Sequence, residues 1–163
     1  MSTAPAPYAK ADIQILLKAI ASDTTDTTLA HGITSAQWDV LAAYMQPMDI
    51  AAGRILISQG AEDRTLYFVE SGMLTVHFED ATGKIRLAAV GAGSVVGEGG
   101  FFSRMARSAT VQAGSACRLW TLSPMRFSEL ANRQPNVALA LAMALGAIMA
   151  RRLVSNRRRI AVT

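Results

Sequence analysis

The chain has 163 residues, enough for one domain with a sizeable core. Hydrophobic residues make up 51% and charged residues 17%, a composition that excludes an intrinsically disordered chain. The net charge of +4 is unevenly placed, because residues 1–122 hold nine basic and eleven acidic side chains, whereas residues 123–163 hold seven arginines and one glutamate. The basic character therefore belongs to the end of the chain.

Residues 1–33 are predicted to form a loose start, one helix and a linker. Four apolar residues recur at helical spacing between residues 11 and 21. They are Ile13, Leu16, Leu17 and Ile20. The polar, β-branched run of residues 22–28 is hard to keep helical and is predicted to be the linker.

A second helix is predicted over residues 34–45. Thr34 and Gln37 have the spacing of a capping box, in which each residue's side chain accepts a hydrogen bond from the other's backbone N–H. Trp38, Leu41 and Met45 are expected to face the core.

Between residues 49 and 122, short apolar or alternating runs are separated by glycine-bearing turns. The predicted strands are 54–58, 66–70, 74–78, 85–90, 109–113 and 118–122. This pattern is typical of an antiparallel sandwich or jelly-roll barrel. Alternation in 74–78 would place His77 opposite Val76, so a partly exposed histidine is expected there.

Two helices are predicted after the strands. Ser123 is a suitable N-cap and Pro124 suits the first helical position of a helix of about ten residues. Pro135 begins another helix that runs to about residue 157. Residues 137–150 contain no polar side chain, but fourteen apolar residues fall short of the ~18–20 that span a membrane, so no transmembrane segment is predicted.

A helix that is apolar all round must be buried on two sides, which predicts a homodimer through residues 136–157. Small residues recur at every fourth position and would let two helices approach closely. They are Ala138, Ala142, Gly146 and Ala150. Leu141, Leu145 and Ile148 are expected to flank this ridge.

The stretch from residue 96 to residue 111 is the richest in functional signal. Glycines allow a ligand to approach the backbone closely, and amide N–H groups at a helix start bind anions. Arg107 offers a planar fork suited to phosphate, whereas Glu98 can only accept hydrogen bonds, such as those from ribose hydroxyls. On spacing alone two readings stay open, an anion site and a turn with a surface Glu–Arg pair.

Taken together, these features resemble the cyclic-nucleotide-binding domains of catabolite activator proteins, kinase regulatory subunits and nucleotide-gated channels. The most specific match is Gly97-Glu98 followed, nine positions on, by residues 107–111, in the length and order of the family's phosphate-binding cassette. Further matches are Gly53, Gly60, Leu66-Tyr67-Phe68-Val69, Ser71-Gly72 and Gly93. The resemblance covers residues 34–158 and implies an α+β fold: an antiparallel β-roll over about 48–122, N-terminal helices before it, and two C-terminal helices over 123–158. Residues 159–163 would be a basic tail end.

The resemblance also implies roles for individual residues. Arg107 would pair with the exocyclic phosphate oxygens, and Glu98 would accept from the ribose 2′-hydroxyl. Backbone amides of Gly99, Gly100 and Ser108, with the Ser108 hydroxyl, would complete the phosphate cradle. The full predicted ligand-binding set is Gly97, Glu98, Gly99, Gly100, Arg107, Ser108 and Thr110. Base contacts from the last helix would come from Arg152, Ser155 or Asn156, each of which is otherwise a plain helix-surface residue.

The cassette departs from the family at two points. Gly99 stands where a larger aliphatic residue is usual, which predicts a less ordered helix start. Residues 103–106 replace a tight turn, and Arg104 there is either a solvated side chain or a second phosphate contact. The small hydroxyl residue Ser108 after the arginine favours cAMP as ligand, with cGMP second.

The sequence predicts a cyclic-nucleotide-sensing regulatory domain that signals through its C-terminal helices, without cofactor or metal. The alternative is a dimerisation module of the same fold that is ligand-independent or binds a cyclic dinucleotide. The sequence shows neither a nucleophile–base pair nor paired carboxylates, so an enzyme is not predicted. Only one histidine falls on a predicted strand, which argues against a metal-binding cupin. The lone Cys117 fits a reducing compartment, and no signal peptide is visible, so a cytoplasmic location is expected.

The output partner is open at this point. No helix-turn-helix domain follows the last helix within these residues, so an unknown effector protein or a fused domain is expected. The C-terminal arginines are either a solvated helix end or a charge patch for nucleic acid or acidic lipid.

Overall fold

In the computed structural model, which describes residues 10–25 and 28–161, the chain runs from two N-terminal helices through two four-stranded antiparallel sheets to two C-terminal helices. The helices are α1 (Lys10–Ser22), α2 (Ser35–Ala42), α3 (Glu98–Ser103), α4 (Pro124–Arg133) and α5 (Pro135–Ala161). The strands are β1 (Gln46–Ile50), β2 (Ile55–Ile57), β3 (Leu66–Ser71), β4 (Leu74–Asp80), β5 (Gly83–Val90), β6 (Val95–Val96), β7 (Thr110–Ala113) and β8 (Cys117–Leu122). The predicted α+β architecture is confirmed, and the expected loose start at residues 1–8 falls outside the described residues.

The helix starts follow their capping residues. The Gln37 N–H donates to Thr34 Oγ1 at 3.2 Å and the Thr34 N–H donates to Gln37 Oε1 at 2.9 Å, which is the predicted capping box. Ser123 caps α4 by accepting from the Arg126 N–H at 3.2 Å, with Pro124 in the first turn. Helix α2 ends at Ala42, earlier than predicted.

The strand order is β1-β8-β3-β6 in one sheet and β2-β7-β4-β5 in the other. Strands β1 and β6 were not predicted. Strand β1 is mostly exposed and contains Pro47, which suits an edge strand but gives no apolar alternation. Strand β6 has only two residues, paired with Tyr67 and Phe68, so tertiary pairing defines it and local pattern does not.

The expectation of an exposed His77 is wrong. His77 is 4% exposed, whereas Val76 is half-buried. The β4–β5 register shifts between these two residues, and such a bulge interrupts the alternation of side chains between the two faces. His77 therefore faces the interior although strict alternation would place it on the outer face.

Two apolar clusters stabilise the fold. One lies between the sheets and includes Val69, Leu74, Val96 and Leu119. The larger one lies between the β1-β8-β3-β6 sheet and helices α1, α2, α4 and α5, and includes Trp120. Burial of one large aliphatic side chain contributes about 1.5–3 kcal/mol, so the helices are integral to the core.

Helix α5 uses one face for this core. Leu141, Leu145 and Ile148 are fully buried within the chain, which corrects the expectation that they flank a dimer ridge. Among the described side chains of the helix, the exposed large apolar ones are instead Leu139, Met143, Leu153 and Val154. They follow the helical period, because residues of one face recur every three to four positions.

The segment Pro135–Ser155 is long and apolar enough to cross a membrane by length and composition, with 21 residues and a mean hydropathy of 1.8. The apolar segment is therefore longer than the fourteen residues 137–150. A third of its most apolar window is buried inside the domain, and a core helix meets the same criterion. We describe α5 as a core helix because its buried face packs in the cluster with α1 and α2.

Candidate functional site

The site is built around Gly97, where strand β6 turns into helix α3. Gly97 has a φ of +87°, a left-handed conformation that glycine adopts without strain. A Cβ atom there would lie 2.8 Å from the Thr65 carbonyl oxygen and 2.9 Å from Arg107 Nη1. Both the turn and the close approach of the guanidinium therefore require glycine.

Arg107 is held under α3 by three acceptors. Its Nη1 donates to the Gly97 carbonyl at 2.9 Å, and its Nη2 donates to Thr65 O at 2.6 Å and to Asp63 Oδ2 at 2.8 Å. The side chain is 3% exposed. A surface Glu–Arg turn would leave this arginine in solvent, so that reading of the sequence is wrong.

One nitrogen of this guanidinium has no partner in the part of the chain that the structure describes. Arg107 Nε is buried and has no hydrogen-bond partner among the described residues. A buried donor without an acceptor costs roughly 1–3 kcal/mol, so an acceptor brought by a ligand would be stabilising. Gly100 leaves room beside it, since a Cβ there would lie 3.1 Å from Arg107 Nη1.

Asp63 fixes the orientation of Arg107. Partial burial raises the pKa of Asp63, but hydrogen bonds from Arg107 and Thr65 outweigh burial and hold the pKa below its usual value. Nearby, burial raises the pKa of Tyr67. Asp63 therefore stays ionised beside the arginine at neutral pH.

Glu98 is the first residue of α3, and its carboxylate is mostly buried. Its Oε1 accepts from Arg152 Nη1, and Arg152 Nη2 donates to the Val95 carbonyl at 2.8 Å. The structure thus places Arg152, a predicted base contact, on the cassette glutamate. This pair ties α5 to the turn between β6 and α3.

A second arginine, Arg64, is hydrogen-bonded to two carbonyls of α3. Arg64 Nη2 donates to the Phe101 carbonyl at 3.0 Å, and its Nε donates to the Gly100 carbonyl at 3.4 Å. Sequence reasoning missed Asp63, Arg64 and Thr65. Nothing in a polar loop before a strand distinguishes contact residues from solvated ones, since their partners lie about 40 residues away.

The remaining predicted residues are more dispersed. A Cβ at Gly99 would meet nothing within 4 Å, and Ser108 is exposed. Thr110 is buried, and its Oγ1 accepts from the Gln59 N–H at 3.0 Å. Ser155 lines a surface cleft of about 560 Å³ with residues such as Thr28 and His31, apart from the cassette.

Three details complete the placement of the sequence-predicted residues. The Asn156 side chain and the basic tail side chains from residue 157 fall outside the described part of the chain. Arg104 is exposed, as a solvated side chain would be, with a φ of 59° at the end of α3. Within residues 10–25 and 28–161, no three His, Cys, Asp or Glu side chains are grouped so that they could hold a metal ion.

Aromatic contacts connect α3 to α4. The rings of Phe101 and Phe127 meet edge to face with centroids 5.2 Å apart, and Phe102 packs on Phe101 in the same manner at 5.4 Å. Helix α3 therefore contacts α4 through Phe127 and α5 through Arg152.

A family model described as the cyclic nucleotide-binding domain matches residues 47–134, more than half of the chain. The chain belongs to the cyclic nucleotide-binding domain family. The cassette geometry described above lies within the matched residues, except for Arg152.

Two relatives are similar to part of this chain. The cAMP-activated global transcriptional regulator CRP of Escherichia coli O157:H7 is 37% identical over 100 residues, which are 60% of this chain and 46% of CRP. Glutaminase 2 of Bradyrhizobium diazoefficiens is 36% identical over 104 residues, 64% of this chain and 16% of that protein. The chain therefore spans less than half the length of these relatives.

The fold also matches solved structures. The crystal structure of a cyclic nucleotide-binding domain from Methylobacillus flagellatus superposes with a TM-score of 0.81 at 21% identity. The match covers 94% of this chain and 84% of that one. At this identity the likeness concerns the fold, which here includes the flanking helices as well as the β-roll.

Proposed function

We propose that this domain senses a cyclic nucleotide, cAMP in the first place, and reports its binding through α4 and α5. Arg107 would contact the exocyclic phosphate oxygens, and Glu98 would accept from the ribose 2′-hydroxyl. The amides of Gly99, Gly100 and Ser108, with the Ser108 hydroxyl, would complete the cradle, and Gly97 and Thr110 would shape it.

The buried Arg107 with an unsatisfied Nε–H is the observation that carries this proposal. A guanidinium is costly to bury unless each of its donors finds an acceptor, and phosphate oxygens match its planar fork. Asp63 and two carbonyls orient the group but leave this donor for another acceptor. The preference for cAMP over cGMP rests on the family resemblance at Ser108.

Signal transmission is supported by two contacts of the cassette. Glu98 is paired with Arg152 of α5, and Phe101 packs on Phe127 of α4. A ligand that binds one arrangement of α3 more tightly than another shifts the equilibrium between the matching arrangements of α4 and α5. The size of the shift is set by the difference in affinity. The domain acts by this shift and needs no catalytic residue.

A homodimer is the second part of the proposal. Leu139 and Met143 of α5 are 62% and 68% exposed, and Leu153 and Val154 extend the same apolar character. Pairing of α5 with its copy would remove this surface from water. Because the chain spans less than half of CRP, we propose that its output is a fused domain or an effector protein in the cytoplasm.

Calorimetric titration of the wild-type chain with cAMP, cGMP and cyclic di-GMP tests the proposal. Saturable one-site binding that is strongest for cAMP is expected. Absence of binding to all three would overturn the sensing function and leave the ligand-independent dimerisation module. Binding of cyclic di-GMP alone would overturn the assignment of the ligand.

A further inference from the structure

Helix α3 has little intrinsic stability. It has six residues, and its N-cap Gly97 makes no side-chain capping bond. Gly99 and Gly100 fill its first turn, and glycine is the least favourable helix residue after proline. A single isolated turn of this composition does not persist in water, so other contacts must hold it.

The C-terminal carbonyls of α3 lack partners within the helix, as at every helix end. The Met105 N–H, which one more turn would direct at Phe101 O, donates instead to Ser103 Oγ at 3.2 Å. Arg64 reaches this end of the helix and supplies donors to Phe101 O and Gly100 O. A charged donor at helix carbonyls also complements the helix dipole.

The loop that carries Arg64 also binds Arg107 of the cassette. Its neighbours Asp63 and Thr65 accept from Arg107 Nη2, so three consecutive residues engage both α3 and the arginine. The loop therefore sets the position of α3 relative to Arg107. Glu98 and the amides of α3 can bind a ribose and a phosphate together with Arg107 only when the position of α3 relative to Arg107 is fixed.

We propose that Arg64 is a positioning residue of the nucleotide site. It orders α3 through the two carbonyls and makes the glycines at positions 99 and 100 tolerable in this helix, without itself contacting the ligand. This inference rests on the proposed nucleotide site for its functional readout. Its structural half, the ordering of α3 by Arg64, is independent of any ligand.

The test combines Arg64→Ala with Gly99→Ala. Gly99 is the matched compensating position because a Cβ there meets nothing within 4 Å, so alanine raises helix propensity without overlap in the free protein. We expect Arg64→Ala to weaken cAMP binding by at least about tenfold, because it removes the two charged hydrogen bonds that order α3. The double variant Arg64→Ala/Gly99→Ala should recover the order of α3 in the free protein, where no ligand meets the added Cβ.

Hydrogen exchange of the amides of residues 101–103 in the free protein supplies the second readout. Arg64→Ala should lower their protection while β3 and β8 stay protected, and Gly99→Ala should restore it. Unchanged exchange and unchanged affinity in Arg64→Ala would overturn the inference. Weaker binding with unchanged exchange of α3 would also overturn it, because Arg64 would then act on the ligand directly.

Two outcomes, an unfolded variant and a wild type without nucleotide binding, need further measurements. If Arg64→Ala does not fold, Arg64→Lys replaces it, since one ammonium group cannot reproduce the guanidinium fork and should show a smaller loss with the same rescue. If the wild type binds no cyclic nucleotide, the proposed function fails. The exchange experiment in the free protein then still decides whether Arg64 orders α3.

Discussion

Arg152 Nη1 is hydrogen-bonded to Glu98 Oε1, joining the last helix of the chain to the first residue of the cassette helix. The two residues are 54 positions apart in sequence, and both side chains are largely buried at their contact. Arg152 also donates to the Val95 carbonyl, so it holds the β6–α3 turn at two points. The second carboxylate oxygen of Glu98 is a further acceptor on the same group.

Replacement of Arg152 should therefore weaken nucleotide binding. Arg152→Ala leaves Glu98 without its cationic partner and detaches α5 from the cassette, and we expect a loss of about 10- to 100-fold in cAMP affinity. Calorimetry against Arg133→Ala, an exposed arginine on α4, controls for the lost charge. Tighter binding in Arg152→Ala would contradict this account, because the pair would then compete with the nucleotide.

Gly97 and Gly99 should respond oppositely to alanine. Gly97→Ala forces a side chain into a left-handed conformation and against Thr65 O and Arg107, so we expect at least about 1–2 kcal/mol of lost folding free energy and loss of cAMP binding. Gly99→Ala should keep or slightly raise stability. Urea unfolding of both variants measures the difference, and equal destabilisation would show that the turn geometry is not the constraint.

The Asp63–Arg107 pair predicts a specific pH dependence. The lowered pKa of Asp63 means that its stabilisation is present above the ordinary value of 3.8 and is lost as the pH falls through the lowered pKa. The difference in unfolding free energy between wild type and Asp63→Asn should therefore stay constant from about pH 7 to about pH 5 and shrink as the pH falls to about pH 3. A difference that stays constant over the whole of this range would mean that the pair does not stabilise the fold.

The exposed face of α5 predicts a change of molecular mass. Met143→Glu places a charge in the proposed dimer contact and should convert a dimer into a monomer in light scattering. Met125→Glu, on the exposed side of α4, is the matched control because Met125 is 75% exposed. A wild-type mass equal to one chain, or dimers that survive Met143→Glu, would refute the dimer through this face.

Local signals in the sequence predicted much of this fold. The capping box at Thr34, the N-cap at Ser123 and the glycine-punctuated strands each depend on neighbouring residues, and each appears where expected. Two features that were not predicted correctly depend on pairing between strands. His77 is buried by a bulge in strand pairing, and strand β6 exists only through its pairing with β3.

The residues of the site also fall into two groups, those that local sequence predicted and those that it did not. Gly97 and Arg107 could be found because the cassette is contiguous in sequence. Asp63, Arg64 and the contact of Arg152 with Glu98 could not, because they come from elements distant along the chain. The uniformly apolar run of α5 likewise did not distinguish Leu141, which is buried within the chain, from Leu139, which is exposed.

The central claim is that Arg107 binds the cyclic phosphate, and calorimetric titration of Arg107→Ala with cAMP tests it most directly. Removal of one partner of a buried charged contact costs about 2–5 kcal/mol, so the affinity should fall by roughly 30- to 4,000-fold relative to wild type. Arg107→Lys, which keeps the charge, and Arg133→Ala serve as controls, and circular dichroism verifies that each variant is folded. A folded Arg107→Ala protein that binds cAMP with wild-type affinity would contradict the account.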